Sequence, residues 1–372
     1  MQPMITLCAS SHSIAIDNDG AVWGTGYSYN GTMGVYGDNK FLRFTFTKLV
    51  APSRVVSVSC CAEYSLFVDE ENDVWHCGYS PIELGWTRRL NFEKVPHKLH
   101  LPKIQLAVGG ENHLLFLDLD GNVWGLGKNE RSQLGVDAIE ITEPVKLDLP
   151  PIKSISCGAS FSAFLDVHGT VWNCGSYNSK RKVEAPEPLT DLPSIVRICC
   201  GEDYLLMIDF EASVWGMGQN EYGQLGLGHC EPTQAIELNL PEPILHIACG
   251  KYHTIFLAHS GTVYACGYND CGQLGSGNHY SHLVPTKINN LPNIIGVACG
   301  SRHSLFVDEE KRIWACGDNR YHQCGITNFV RKLFFQDTGL INAPRTVPMK
   351  FNLKVEFQEE CRTDNTKSAR KI

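Results

Sequence analysis

Gly250-Lys251-Tyr252-His253-Thr254-Ile255-Phe256-Leu257, then Val263-Tyr264-Ala265-Cys266-Gly267 and Gly272-Gln273-Leu274-Gly275, is the stretch on which the reading of this chain turns. A short apolar run, a turn and a second run carrying an aromatic residue have the grammar of a β-hairpin. The hairpin recurs. An aromatic residue followed three positions later by glycine stands at Trp23, Trp75, Trp124, Trp172, Trp215, Tyr264 and Trp314, at spacings of 52, 49, 48, 43, 49 and 50 residues. Eleven residues before each lies a histidine or another ring: His12, Tyr64, His113, Phe161, Tyr204, His253 and His303. Four positions before that ring comes cysteine in six repeats, with Gly109 in the other. Five positions after it comes aspartate in six, with Ala258 the exception.

Within the hairpin, Gly20, Gly121, Gly169 and Gly261 share one turn position, where glycine accepts a positive φ without a Cβ clash. Asn72 tolerates that geometry, whereas Ala212 and Lys311 at the same position predict other turn shapes. After the aromatic strand come Gly223-Gln224-Leu225-Gly226, Gly272-Gln273-Leu274-Gly275, Ser132-Gln133-Leu134-Gly135 and His322-Gln323-Cys324-Gly325, each preceded by an asparagine. A proline-marked strand such as Glu143-Pro144-Val145-Lys146-Leu147 follows. Four strands in roughly 50 residues is the size of one propeller blade. Seven such repeats predict an all-β, seven-bladed β-propeller over 1–357, with a polar, disordered tail over 358–372. The first repeat starts at Met4-Ile5-Thr6-Leu7-Cys8 with no proline-led strand before it, and residues 346–353 resemble 284–291. The ring is therefore expected to close by pairing of the N- and C-terminal strands in one blade, removing an open edge.

Composition narrows the function. A formal charge of -8 argues against an electrostatic grip on nucleic-acid phosphates. No apolar run reaches the roughly 18 residues that span a bilayer, and Met1-Gln2-Pro3-Met4 lacks the regions of a signal peptide. The expectation is a monomer with no membrane partner, residing in the cytoplasm and also the nucleus. The 16 cysteines fall mostly at equivalent repeat positions and read as reduced core residues. Cys266 and Cys271 have no second pair at metal-ligand spacing, so no metal is expected. There is no phosphate loop, helical two-histidine motif or nucleophile elbow, so no catalytic residue is assigned and no cofactor is expected.

The order of cysteine, glycine, ring, hairpin, aromatic and Gly-Gln-Leu-Gly resembles the RCC1 repeat over roughly residues 4 to 357. Kelch repeats would carry glycine doublets, and WD repeats would follow tryptophan with aspartate, which none of the six repeat tryptophans does. The resemblance implies a propeller that recognises a protein across one face, and it raises guanine-nucleotide exchange on a Ran-like small GTPase as the alternative activity. Glycine-tryptophan-arginine-histidine-threonine motifs mark the family's plant ultraviolet receptor, but Gly250-Lys251-Tyr252-His253-Thr254 has no tryptophan. Recognition uses loops on a rigid frame, here the turns before the hairpins. Glu63, Glu111, His113, Asp203, His253, Arg302 and His303 are the candidate partner-binding residues in those turns. The shortest repeat runs through Ser176-Tyr177-Asn178-Ser179-Lys180-Arg181-Lys182-Val183, read as a solvated basic loop, and Trp86 alone stands outside the register.

Overall fold

A computed structural model describes residues 6–28, 31–34, 42–51, 54–61, 63–78, 93–178, 181–325 and 345–351. Trp86 and the 358–372 tail lie outside these residues. The chain forms seven four-stranded antiparallel sheets, each of four consecutive strands, covering 6–48, 55–98, 104–146, 152–188, 195–237, 244–287 and 294–351. This is the seven-bladed propeller. The inner strands of neighbouring blades lie side by side around the axis, and Thr6–Ala9 of blade one meets both Val55–Cys60 and Ile294–Cys299.

Blade six shows why these residues take these places. Its inner strand is Ile244–Cys249, followed by His253–Ala258, Val263–Gly267 and the outer His282–Lys287. Every residue of His253–Ala258 is buried, as are those of the equivalent strands in the other blades. A strand covered on both faces reads as a continuous apolar run rather than an alternation. No residue of the outer strand is buried, and Leu283, Val284 and Lys287 are exposed. Clusters such as Leu206, Ile208, Leu225, Ile247, Phe256 and Cys266 join blade five to blade six, so the core is a set of inter-blade seams.

The repeated glycine after each aromatic has a steric cause. Gly26, Gly78, Gly127, Gly175, Gly218, Gly267 and Gly317 all have φ between 93° and 110°. At Gly317 a Cβ would lie 2.5 Å from the Arg302 carbonyl oxygen, 2.6 Å from the His303 Cα and 3.1 Å from the Gln273 Cα.

Three expectations are corrected. The N- and C-terminal strands do not share a blade: Arg345–Phe351 pairs with Ile313–Gly317 as the outer strand of blade seven, and blade one has its own outer strand, Leu42–Lys48. The proline-led strand ends a blade rather than beginning one, so blade one lacks nothing. Side chains and packing close the ring instead: Ser13 Oγ donates to the Gln323 carbonyl at 2.7 Å and Thr25 Oγ1 to the His322 carbonyl at 2.9 Å, over a core of Ala15, Phe46, Leu305 and Val307. Ala212 and Lys311 take no other turn shape: their φ values of 64° and 62° match Asn72 at 63° and the glycines, and each amide bonds back to the preceding strand's last carbonyl. The hydrogen-bonded turn outweighs a left-handed cost of roughly 1–2 kcal/mol. The basic stretch of blade four is not a loop but two long strands, Val171–Asn178 and Arg181–Pro188, paired through Asn178 and Arg181.

The recurring aspartate caps the hairpin. In six blades its Oδ1 accepts the amide four residues on, and its Oδ2 accepts the indole N–H six residues on, at 2.8 to 3.1 Å. Blade six loses both partners together: Ala258 replaces aspartate, Tyr264 replaces tryptophan, and the Tyr264 hydroxyl donates to Glu242 Oε1 at 2.8 Å. Restoring the pair as A258D/Y264W should exceed the sum of the single changes by about 1 kcal/mol, the size of a coupled contact. Denaturant melts of the four proteins read this directly, and zero coupling would show that the indole contact contributes nothing.

Candidate functional site

Each inner strand rises to a turn, descends as the second strand, and rises again as the third. The turns between inner and second strands and the loops after the third strands therefore share one face. Glu63 and Glu111 are exposed on it, and Asp203 and Arg302 are half-buried on it. His113, His253 and His303 are not: each is 0 % exposed. They start the second strand and turn inward between blades.

The burial of these histidines follows from their partners. His12 Nε2 lies 2.7 Å from Ser65 Oγ, His113 Nε2 3.0 Å from Ser162, His253 Nε2 2.9 Å from Ser304, and His303 Nε2 2.7 Å from Ser13. Each serine belongs to the next blade around the ring. Its single hydroxyl proton is donated to the Thr32, Gln133, Gln273 or Gln323 carbonyl at 2.6 to 2.8 Å. The imidazole must then be the donor, in its Nε2–H form, and its Nδ1 has no hydrogen-bond partner. Burial pushes the imidazoles down to about 3 at His12, His113 and His253 and about 4 at His303. A Ser–His pair at this distance usually suggests a nucleophile and its base. Here the serine proton is already committed and substrate has no access, so the pairs are inter-blade clips.

The clip has a signal in the sequence that motif reading missed. The residue after the ring is Ser13, Ser65, Leu114, Ser162, Leu205, Thr254 or Ser304. Leucine follows Tyr64 and Phe161 blades, and serine follows histidine blades; Tyr204 donates its hydroxyl to the His253 carbonyl at 2.6 Å beside Thr254. Ring and neighbour match across each seam. The same loop geometry shows that Gly31-Thr32-Met33-Gly34 is the blade-one form of Gly-Gln-Leu-Gly, with Gly31 and Gly34 at φ 74° and 64°.

On the face itself, blades five to seven gather residues that the repeat register alone did not select. Tyr222 lies 4.8 Å from Tyr252 and 4.7 Å from Tyr268 between ring centroids, and Tyr252 and Tyr268 are 6.4 Å apart. All three are half-buried. Lys251 Nζ is 5.2 Å from the Tyr252 ring centre and 2.7 Å from Glu202 Oε1. Arg302 is paired with Asp270 and lies over the Tyr268 ring at 5.9 Å. Tyr27 and Tyr321 repeat the contact between blades one and seven at 5.2 Å. Tyr222 and Tyr268 were legible only as non-repeating residues beside repeated glycines.

At the centre of the face the axis opens as a cavity of about 230 Å³ lined by turn residues of all seven blades, including Ser10, Cys61, Glu111, Ala159, Glu202, Lys251 and Ser301. Burial, reinforced by Glu202, pushes the Asp203 carboxyl up to about 6; Lys251 opposes this, and Glu111 and Glu221 add to it. Burial also raises Glu202, with Lys251 opposing. Fourteen of the cysteines, from Cys60 to Cys324, are free thiols, and among the described residues no helix is long and apolar enough to cross a membrane. One acidic trio, Asp69, Glu71 and Asp73, sits on the opposite face, where Lys98 and Lys103 hold Asp73 at 2.6 and 2.8 Å and Asp69 holds Trp75. The carboxylates of Asp69 and Asp73 are thus taken by the protein itself.

The model of the regulator of chromosome condensation (RCC1) repeat matches residues 120–165, 211–257 and 260–307, and a second model of that repeat matches 244–273 and 294–323. The human probable E3 ubiquitin-protein ligase HERC6 is 29% identical over 136 residues, covering 35% of this chain and 13% of that protein. Mouse Protein RCC2 is 33% identical over 86 residues, 22% of this chain and 16% of that protein. The Arabidopsis thaliana ultraviolet-B receptor UVR8 is 28% identical over 138 residues, 34% of this chain and 30% of that protein. The chain thus matches less than a third of the length of these relatives. Among solved structures, Prp20p from Saccharomyces cerevisiae superposes with a TM-score of 0.76 at 21% identity, over 92% of this chain and 88% of that one. Human WBSCR16 gives 0.75 at 19%, over 83% and 88%. Repeat matches, blade count and superposition agree: the chain carries RCC1 repeats and folds as a seven-bladed propeller.

Proposed function

We propose that this chain is a non-catalytic, monomeric protein-binding platform of the cytoplasm and nucleus, and that it grips its partner with the face bearing Glu63, Glu111, Asp203 and Arg302. The observation that carries the reading is the cluster of Tyr222, Tyr252 and Tyr268 flanked by Lys251 and Arg302. Tyrosine and arginine are enriched where binding energy concentrates, because a half-buried ring offers large contact area and few rotors to freeze. The acidic arc beside it supplies orientation and on-rate. A partner identified by affinity purification and then purified should bind Y222A/Y268A at least 10-fold more weakly than the parent. Phe210→Ser, at an 85 % exposed site on the opposite face, should bind as the parent does. The reverse pattern would move the platform to the other face.

Guanine-nucleotide exchange on a Ran-like GTPase is the second reading. It is supported by the likeness to Prp20p, a protein whose crystal structure was described with its binding to Gsp1p and histones. Release of labelled GDP separates the two. Catalytic acceleration by the parent, lost in D203A, favours exchange; binding without acceleration favours the platform.

A further inference from the structure

Where blade five meets blade six beside the axis, two half-buried thiols meet across the seam, and we propose that Cys199 and Cys249 are a redox-active pair that a peroxide converts to a disulfide stapling the two blades. This goes beyond the platform reading and does not rest on it.

Cys249 ends the inner strand of blade six, and its Sγ donates to the Cys199 carbonyl at 3.5 Å. Cys199 is the next-to-last residue of the inner strand of blade five, Ile195–Cys200. The side chain at that position meets the main chain of the following blade: in blade four it is Ser156, whose Oγ accepts the Cys200 amide at 3.0 Å. The equivalent amide for Cys199 is that of Cys249, so each sulfur lies against the other cysteine's backbone. Cys299 repeats the carbonyl contact one blade on, at 3.3 Å, but onto Ala248, which has no thiol. Of these three seams, only that between blades five and six sets cysteine on cysteine. A disulfide joins cysteines whose backbones are already neighbours, and the seam makes these two so. Both thiols are free, and Cys249 lines the axial cavity of about 230 Å³, room enough for hydrogen peroxide. Cys316 and Cys324 in blade seven are also close, but they are fully buried and do not line the cavity.

The Cys249 thiol, by donating, holds Cys199 below the ordinary cysteine value; burial opposes this and the Cys249 amide adds to it. Burial raises Cys249, and donation to Cys199 raises it further. Cys199 is therefore the sulfur that ionises first, and the thiolate is the nucleophile. It attacks one peroxide oxygen: the S–O bond forms, the O–O bond breaks, and hydroxide leaves. The Cys249 sulfur then attacks the sulfenic sulfur, forming S–S and releasing the second oxygen as hydroxide. Protons from the two thiols convert both hydroxides to water, so each thiol loses one electron and the peroxide gains two.

The full chain, reduced and then freed of reductant, is treated with hydrogen peroxide, alkylated, and digested after lysine, arginine and glutamate, which separates 198–202 from 238–251. The expected result is a fragment joining the two, loss of two thiols per chain, and a melting temperature about 4 °C or more above the reduced form, since the bridge spans 50 residues. Dithiothreitol should reverse all three. C199S should lose the joined fragment and the thermal shift. It places at 199 the residue that blade four already carries as Ser156, so the fold is kept. C299S should retain both signals. Sulfenic or sulfinic acid at Cys199 with no joined fragment overturns the proposal, as does a thiol count that peroxide leaves unchanged. A joined fragment undiminished in C199S would place the bridge on Cys200 and overturn it equally. A melting temperature that does not rise on oxidation removes the staple.

Discussion

Lowering the pH from 7 to 5 is expected to destabilise the propeller steeply and drive it toward cooperative unfolding, with uptake of about four protons or more. The four clip histidines have folded pKa values of about 3 or 4, against an ordinary value of 6.5. Below 6.5 the unfolded chain therefore binds more protons than the folded one, and stability falls as pH falls until the folded values are reached. At pH 5 each histidine costs about 2 kcal/mol, so four cost roughly 8 kcal/mol against a typical total of 5 to 15. His76 and His246, pushed to about 4 by burial and then by His97 and Arg197 respectively, act in the same direction. Asp203, pushed up to about 6, acts the other way, but it is one half-exposed group screened by solvent. Circular dichroism against pH, with potentiometric proton counting, measures both midpoint and slope. A midpoint below pH 4 with uptake near one proton would show that the imidazoles are not held neutral in the fold.

Gly317→Ala should destabilise the protein by about 3 kcal/mol or more, combining a backbone strained for any L side chain with steric overlap. The new Cβ would stand at φ 104° and meet backbone atoms of its own blade and of blade six, none of which is the free end of a side chain. At about 2 °C or more per kcal/mol the melting temperature should fall by some 6 °C or more. Gly296→Ala is the matched control, since its Cβ would meet only the Val307 Cβ, at 3.8 Å. It should melt within about 2 °C of the parent. Equal melting of the two variants would remove the steric reading of the repeated glycine.

The blade count, the hairpins and the identity of the structural positions were legible in one sequence because seven copies hold one register. The ring and the glycine recur because each seam repeats the same contacts, and the aspartate and the tryptophan because each hairpin repeats the same cap. The candidate face was legible only in part. Glu63, Glu111, Asp203 and Arg302 stood out as charged residues that the blade does not require, and the fold places all four on one face. The histidines His113, His253 and His303 looked equally available, since exposure depends on a serine in the next blade, 49 and 51 residues away for the first two and 290 for His303.

The sequence by itself determined the local grammar: which residues turn, which strands are buried on both sides, and how many blades there are. These follow from periodicity and from backbone conformations that glycine, asparagine and aspartate select within a few residues. Only the tertiary structure decided where a blade begins, how the ring closes, and which side chains reach the face. Strand partners outside the hairpin, the Ser13 to Gln323 closure and the meeting of Tyr222 with Tyr268 join residues separated by tens to hundreds of positions. Such contacts are set by packing each blade on the next, and no short-range pattern in the chain encodes them.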